Sequence, residues 1–517
     1  MRALIIHLDG TRLEMAEGTT LQDIVPGLDT ACSVAVIRPG EEEAAETRSL
    51  RVSTTAGEVV IELPATEKSG ALFILPACES GDEGAGLPLG WADRYSVAFG
   101  PFPSEIRPAR VPEQYAEGDV ILGCGGYDPG RSYFIFSRMK HNADYGAASG
   151  GGVIGRVVSG KSVLARWSAG DRIECVERIM SREDRSRAFT TTDRSVPLED
   201  GMQVISHVRV IAEGISPSGT DTTVAESVEH LLLALEGGRF SIGRSASTHV
   251  RDDRLGGTDT PFQKRASRLE GTVTVRTRGT CRGCVYIYTT DTPGSAAHTV
   301  VGRVAHGIEL IRFAGEGEQL CVQSEPPRLE FLGMALNEAE ARAAERGIRL
   351  SVDERSGERV VIGQDPPTTL EVLAAGAARL MTVPLADVIA VRLDDERAPA
   401  TCKIFRTVSG LKLHNVGMLP ILYTFEDVYL FKPDMATGTK INLENLPSGE
   451  VPANTLAMTN DSRKATGIVG VRTTANREFG PTSEPFEGTN IIGTILEPEK
   501  LKAFKEGKVV FIREVES

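Results

Sequence analysis

Aromatic side chains make up only 5% of the sequence, which leaves few platforms on which the bases of single-stranded nucleic acid could stack. Basic residues are outnumbered, 57 Lys and Arg against 71 Asp and Glu, for a formal net charge of -14. No basic cluster relieves that excess, so phosphate backbones are repelled. No run of about 18 uncharged apolar residues occurs, and even EHLLLALEGG is short and flanked by acid, which argues against a membrane-spanning helix. Eight cysteines (Cys32, Cys78, Cys124, Cys175, Cys281, Cys284, Cys321, Cys402) are too few and too scattered for a disulfide scaffold, and reduced thiols are expected. The opening MRALIIHLDGTRLEMAEGTT has its apolar run broken by His7 and Asp9 and lacks the apolar core of a signal peptide. A cytoplasmic protein with no nucleic-acid or membrane partner is predicted.

What the chain does hold is length and punctuation. At about 150 residues per domain, 517 residues suggest three or four domains. Fifty-four glycines and 27 prolines cut the chain into short segments, favouring strands and turns over long helices. Residues 3–24 read as a strand, a two-residue turn at Asp9-Gly10, a second strand and a short helix from Thr20. That order resembles the start of a β-grasp domain of the ubiquitin and sulfur-carrier group, without its Gly-Gly terminus. The acidic run Glu41 to Glu46 reads as a solvated linker.

A repeat follows. Gly118 opens GDVILGCGGYDPGRSYFIFS and Gly271 opens GTVTVRTRGTCRGCVYIYTT, each with a tyrosine (Tyr133, Tyr286) fifteen positions on. Each copy then reaches a Gly-Arg-Val strand, GGVIGRVVSGKSVL at 151–164 and HTVVGRVAHGIELI at 298–311. A weaker third copy reads ATGIVGVRTT at 465–474, preceded by GEVPANTLAMTNDSR. The phrases at 51–63 and 155–179 resemble strands of cyclophilin-like barrels. The cyclophilin catalytic set, a strand Arg near Phe and Gln with Trp and His across the groove, is not found, so prolyl isomerase activity is not expected. Residues 329–373, with Asn337 as expected helix cap and Gly347 as its stop, resemble a PASTA module.

The fold expected is mainly β with some α, and multidomain: a β-grasp-like unit (1–47), cyclophilin-like barrels (48–212, 213–328 and 376–517) and a PASTA-like module (329–375).

Motifs for chemistry are sparse. GxxxxGK[ST] and GxSxG are both absent, so neither ATP hydrolysis nor a serine nucleophile is expected. Cys281 and Cys284 form a CxxC, two thiolates able to share one soft ion, but no second pair matches. The repeat places Cys124 opposite Thr277, four positions before Cys281, so the three thiols could serve an iron-sulfur cluster completed by a partner chain. Plain packing is the commoner fate of a free thiol. His141, with Asp144 three positions on, could form an imidazole-carboxylate pair or merely a local hydrogen bond. His298 and His306 bracket a Gly-Arg-Val strand and read as its caps. The mixed-charge run 178–187 reads as a solvated or interface face. GPTSEPFEGTNIIG is the preferred docking loop, with Phe486 exposed, Glu487, Thr489 and Asn490 beside it, and His141 as a further docking residue.

Several long phrases, GCGGYDPGRSYFIFSRMKHNADYGAASGGGVIGRVVSG, DRSRAFTTTDRSVPLEDGMQVISHVRV, HTVVGRVAHGIEL, TNDSRKATGIVGVR and FGPTSEPFEGTNIIG, resemble the methanogenesis marker protein 3 family nearly end to end. One departure is Asp461, in a slot that the family usually fills with an apolar residue. The resemblance implies an archaeal methanogen and a place beside the apparatus that activates methyl-coenzyme M reductase. Its partners there would be reductase subunits, an ABC-type ATPase and other small marker proteins. A non-catalytic accessory subunit with no cofactor of its own is expected. An iron-sulfur electron-transfer subunit and a prolyl isomerase are the alternatives.

Overall fold

The computed structural model describes residues 3–38, 49–64, 86–179, 188–464 and 466–515, so Glu41 to Glu46 and residues 180–187 lie outside the described residues. The chain divides into two units, residues 1–328 and 329–517. Strands dominate both, and two closed barrels account for much of them.

The amino-terminal hairpin forms as its sequence dictates. Strands Leu4–Leu8 and Thr11–Met15 are joined by Asp9 and Gly10, whose φ angles of 48° and 86° are the left-handed pair that suits a two-residue hairpin loop. Thr20 and Asp23 form a capping box on the helix Leu21–Ile24. The sheet order is then Thr11–Met15, Leu4–Leu8, Gln203–Ile205, Cys32–Ile37, with Gln203–Ile205 parallel to the first strand and antiparallel to Cys32–Ile37. Ala188–Thr191 pairs with the other edge of Cys32–Ile37. The expected boundaries at 47 and 212 therefore shift, because residues 188–205 complete the amino-terminal sheet and the first barrel is inserted within it.

That barrel closes through eight strands, from Ser49–Thr54 to Arg172–Ile179. Phe99, Phe134, Phe136 and Trp167 fill it, and the Trp167 indole donates to Thr54 Oγ1 at 3.0 Å. One expectation about thiols is corrected here, since Cys175 on its last strand is disulfide-bonded.

The repeat is real at the level of backbone hydrogen bonds. Gly118 N donates to Ser137 O and Val157 N to Gly118 O; likewise Gly271 N donates to Tyr288 O and Val304 N to Gly271 O. Gly160 and Gly307, at φ 82° and 83°, each open a short helix, Lys161–Leu164 and Ile308–Phe313. The third copy begins within the expected phrase, at Asn454, but its last strand lies further on. Asn454 N donates to Arg472 O and Ile495 N to Asn454 O, so the counterpart of Gly-Arg-Val is Gly493-Thr494-Ile495, not the stretch 465–474. Asn454, at φ 66°, takes the place of Gly118, as a residue tolerant of the left-handed region can.

The second copy is not a separate closed barrel. From Val208–Ala212 through His298–His306, Thr272–Arg276, Val285–Tyr288 and His249–Asp252 its pairing runs on to Arg244–Ala246. It returns by Arg239–Ser241 on Gln319–Glu325, which is parallel to Val208–Ala212. The ring is interrupted at Ile242 and Gly243. Gln319 and Leu320 also pair with Cys32 and Ser33, merging this body with the amino-terminal sheet.

In the second unit, helices Leu336–Glu345 and Thr369–Ala375 pack on a sheet ordered Arg349–Val352, Ala377–Pro384, Arg359–Asp365. The central strand, Ala377–Pro384, carries this module past the expected limit of 375. Asn337 lies inside the first helix and Ala335 caps it. The last barrel closes through seven strands from Val388–Leu393 to Val509–Glu514, with the helix Pro399–Ser409 packed against its core.

Candidate functional site

Where the inserted barrel meets the interrupted ring, small residues let the two backbones touch. A Cβ on Gly57 would fall 2.9 Å from Ala305 Cα, and Arg303 Nε donates to Ala56 O at 2.9 Å. Beside this contact a small open cleft is lined by Arg51, Glu58 and Ser162 from the barrel and Glu270, His306 and Glu309 from the ring. Its polar focus is His306, the last residue of its strand and only 8% exposed.

The His306 ring is held at both nitrogens, Nδ1 at 2.9 Å from Glu58 Oε1 and Nε2 at 3.2 Å from Asp9 Oδ1. Asp9, on the hairpin turn, also faces His207 Nδ1 at 3.4 Å from Oδ2 and accepts from Ser206 N at 2.8 Å. Burial alone would lower the His306 pKa, but hydrogen bonds to Asp9 and Glu58 and their charges outweigh it and push it up to about 9. Burial would raise Asp9, yet bonds from His207, His306 and Ser206 hold it well below the usual carboxylate range. His298, at the other end of the same strand, has no such acceptors: burial, with Arg268 and Arg276 nearby, takes it down to about 3. Thus one strand carries a charged imidazole at one end and a neutral one at the other.

A pH dependence follows. Because the folded pKa of His306 lies above its unfolded value, near 6.5, its contribution is complete below pH 6.5 and lost as pH rises through about 9. With divalent cations chelated, the amino-terminal unit is expected to lose roughly 3 kcal/mol across that window. Urea midpoints measured from pH 6 to 9.5 check it, and His306→Asn should flatten the curve. An unchanged slope in the variant would reject the assignment. Asp9 acts at the opposite end, its contribution being present above pH 3.8 and lost on further acidification.

The residues singled out from sequence fall elsewhere. Cys124 is buried at a strand end with Sγ 3.5 Å from Ser132 Oγ. Cys281 accepts from Arg251 Nη1 at 3.3 Å. Burial, with the Asp253 carboxylate on the thiol, pushes Cys284 up to about 12, the wrong direction for a thiolate. The three thiols do not form one ligand group: among the described residues the group of three or more His, Cys, Asp or Glu donors within 4.8 Å is Asp9, His207 and His306.

His141 is not paired with Asp144. Its Nε2 bonds Tyr145 Oη at 2.6 Å and its Nδ1 lies 2.8 Å from Met139 O, while Asp144 accepts from Tyr127 Oη at 2.6 Å. The docking loop is largely turned inward. Phe486 is half-buried in a short 3-10 turn. Glu487 is exposed and ion-paired to Arg463 at 2.5 Å. Thr489 and Asn490 are fully buried, so they cannot be a docking surface. Asn490 Oδ1 accepts from Asn460 Nδ2 and Glu444 N, and its Nδ2 donates to Thr401 Oγ1 and Asn442 O.

Relatives span the whole chain. A UPF0288 protein of Methanosarcina barkeri is 35% identical over 99% of this chain and 98% of its own length. The chain belongs to the UPF0288 family. Other UPF0288 proteins, from Methanothermobacter thermautotrophicus (99% of this chain, 98% of that one) and Methanopyrus kandleri (99% of both), are each 30% identical. A family model described as "Putative peptidyl-prolyl cis-trans isomerase domain" matches residues 389–515 of this UPF0288 chain, the span of the last barrel. Among solved structures, a cyclophilin from Hirschia baltica is 12% identical, covering 33% of this chain and 93% of its own, at a TM-score of 0.19. An uncharacterized B. cereus protein is 13% identical, covering 33% of this chain and 39% of its own, also at 0.19. Neither superposition is close enough to carry an argument about function.

Proposed function

We propose that this UPF0288 chain is a non-catalytic binding subunit, the methanogenesis marker protein 3 of a methanogen. Its role is that of a cytoplasmic scaffold in the ATP-dependent complex that activates methyl-coenzyme M reductase. The partners are reductase subunits, an ABC-type ATPase and other small marker proteins. The full-length relatives from methanogens support the setting. Among the described residues, no helix is long and apolar enough to cross a membrane.

The observation that carries the binding role is an apolar strip on the last barrel. Along Gly417–Phe425 the alternate residues Met418 and Pro420 face outward, and a bulge after Ile421 turns Leu422 and Tyr423 out together, followed by Phe425. Val509 lies opposite Pro420 in register and is exposed with them. Met418 and Phe425 are 54% and 56% exposed. A contiguous row of large apolar side chains with aromatics is the composition of a binding patch rather than of ordinary surface.

The parallel pairing of Gln203–Ile205 with Leu4–Leu8 between two antiparallel neighbours supports a β-grasp reading of the amino-terminal sheet. The two helices on three strands at 329–384 support a PASTA-like one. Both would serve as binding modules.

The test is anaerobic affinity purification of the tagged chain from a methanogen. Wild type should carry reductase subunits and the ATPase, and a Leu422→Asp, Phe425→Asp variant should lose them while folding normally, since exposed substitutions cost little stability. Recovery of the wild-type chain alone would reject the scaffold. The family description of residues 389–515 favours a second reading, prolyl isomerisation. Its arm of the test is acceleration of a proline peptide beyond the uncatalysed relaxation of tens of seconds, which the scaffold reading expects to be absent.

A further inference from the structure

Three donor-bearing side chains meet at the foot of the amino-terminal hairpin. Asp9 offers one carboxylate oxygen to each of two imidazoles, Oδ1 at 3.2 Å from His306 Nε2 and Oδ2 at 3.4 Å from His207 Nδ1. A tetrahedral zinc ion with bonds of about 2.0–2.2 Å spaces its ligand atoms about 3.3–3.6 Å apart. One donor atom from each of the three side chains lies within 4.8 Å of the other two, close enough for small rotations to bring them onto one ion.

The surroundings match as well. A histidine that binds metal through one nitrogen usually donates its other N–H to a carboxylate, which fixes the ring and leaves the correct nitrogen free. Glu58 fills that place on His306 Nδ1 at 2.9 Å. Each donor is also held by backbone structure. Asp9 sits in the two-residue turn with its own N–H on Val204 O, and His207 joins the strands Gln203–Ile205 and Val208–Ala212. His306 ends a strand paired at Arg209. Two imidazoles and one carboxylate suit zinc or a similar first-row dication, whereas magnesium and calcium prefer all-oxygen shells.

We propose that Asp9, His207 and His306 form a mononuclear divalent-cation site of zinc type, with Glu58 as the outer acceptor that orients His306. This goes beyond the scaffold role and does not depend on it. On binding, the metal-nitrogen bond forms as the His306 Nε2–H bond breaks and one proton leaves to solvent. Ser206 Oγ, 3.1 Å from His207 Nδ1, gives up that contact to the ion. Three protein donors leave the fourth position to water or to a donor from outside the chain. The site ties together the hairpin, the inserted barrel through Glu58 and the interrupted ring through His306.

The experiment uses the full chain, stripped with chelator and titrated calorimetrically with zinc chloride, and with cobalt(II) as a visible-spectrum probe of geometry. One equivalent should bind with release of one proton and a tetrahedral cobalt spectrum, and affinity should fall at least tenfold from pH 8 to pH 6. The charged and titratable groups facing His306 are Asp9, His207 and Glu58, with Arg51 3.7 Å behind Glu58 and Glu270 and Glu309 lining the same cleft. Glu58→Gln should weaken binding 10–100-fold. Asp9→Asn and His207→Ala should abolish the cobalt spectrum, while Cys281→Ser with Cys284→Ser should leave it intact. Should Asp9→Asn fail to fold, His207→Ala, at a half-buried position, carries the test. Absence of saturable zinc binding in wild type, binding undiminished in folded His207→Ala, or binding lost only with the cysteines would each overturn the proposal.

Discussion

Replacing Asn490 by Ala is expected to destabilise the last barrel by about 3–5 kcal/mol. The side chain is fully buried and its amide is saturated. Two donors, Asn460 Nδ2 and Glu444 N, reach its oxygen, and its nitrogen reaches Thr401 Oγ1 and Asn442 O at 3.0 and 2.7 Å. Truncation takes away two bonds between buried side chains, to Asn460 Nδ2 and Thr401 Oγ1, and two at the partly buried margin, to the Glu444 amide and the Asn442 carbonyl. Each orphaned buried group costs about 1–3 kcal/mol, beyond the lost packing. Asn460 partly survives, since its Nδ2 also donates to Glu487 O at 3.0 Å.

Amide exchange measures the effect locally. Protection of Thr455–Thr459 and Thr489–Ile495 should fall together, because the two strands pair along their length and open as one cooperative body. Glu487→Ala is the comparison. Its exposed ion pair with Arg463 lies in the range where surface pairs contribute little, so protection should barely change. Equal losses in both variants would mean that the loop, not the buried amide, holds this end of the barrel.

The same two positions illustrate what the sequence could and could not tell. Polar residues in a Gly- and Pro-rich loop usually face water, so Thr489 and Asn490 read as surface. They are buried because they meet partners distant in sequence, Thr482 for Thr489 and Thr401, Asn460 and the backbone at 442–444 for Asn490, and that convergence is invisible without the fold. Local devices were legible. The Asp9-Gly10 turn and the Gly118 and Gly271 turns depend on residues adjacent in sequence, and the Gly-Arg-Val strands repeat almost letter for letter. The last strand of the third copy escapes the sequence because its positions are met by other residues, Asn454 for glycine and Thr494 for arginine, while a chance Gly-Val-Arg stands at 470–472. The Asp9, His207 and His306 group was out of reach for a different reason. Asp9 and His306 are 297 positions apart and meet only through strand pairing, in which Gln203 aligns with His7 and Arg209 with His306. In the sequence His306 reads only as a strand cap, since its two carboxylate neighbours, Asp9 and Glu58, lie on other elements.

Gly307→Ala is expected to cost about 4 kcal/mol and to dismantle that group without touching a donor atom. The residue sits at φ 83°, and an added Cβ would stand 2.3 Å from the His207 carbonyl oxygen and 3.1 Å from Val208 Cα. These are backbone atoms of the neighbouring strand, so no side-chain rotation relieves the contact. The strands Val208–Ala212 and His298–His306 must move apart, and His207 moves with the first of them. A control separates strain from contact. Gly347, at φ 66°, has nothing within 4 Å of its missing Cβ, so Gly347→Ala should cost only the left-handed preference, about 1 kcal/mol. The excess at Gly307 is then the price of the close approach. Urea denaturation at pH 6, where His306 is charged in folded and, in large part, in unfolded chains, reads the stability. The pH slope between 6.5 and 9 reads the cluster, and it should be shallower in Gly307→Ala than in wild type because His306 loses its fixed partners. A variant that is destabilised with an unaltered slope would show that the Asp9 and Glu58 contacts survive strand separation, and that Gly307 sets packing rather than the geometry of the site.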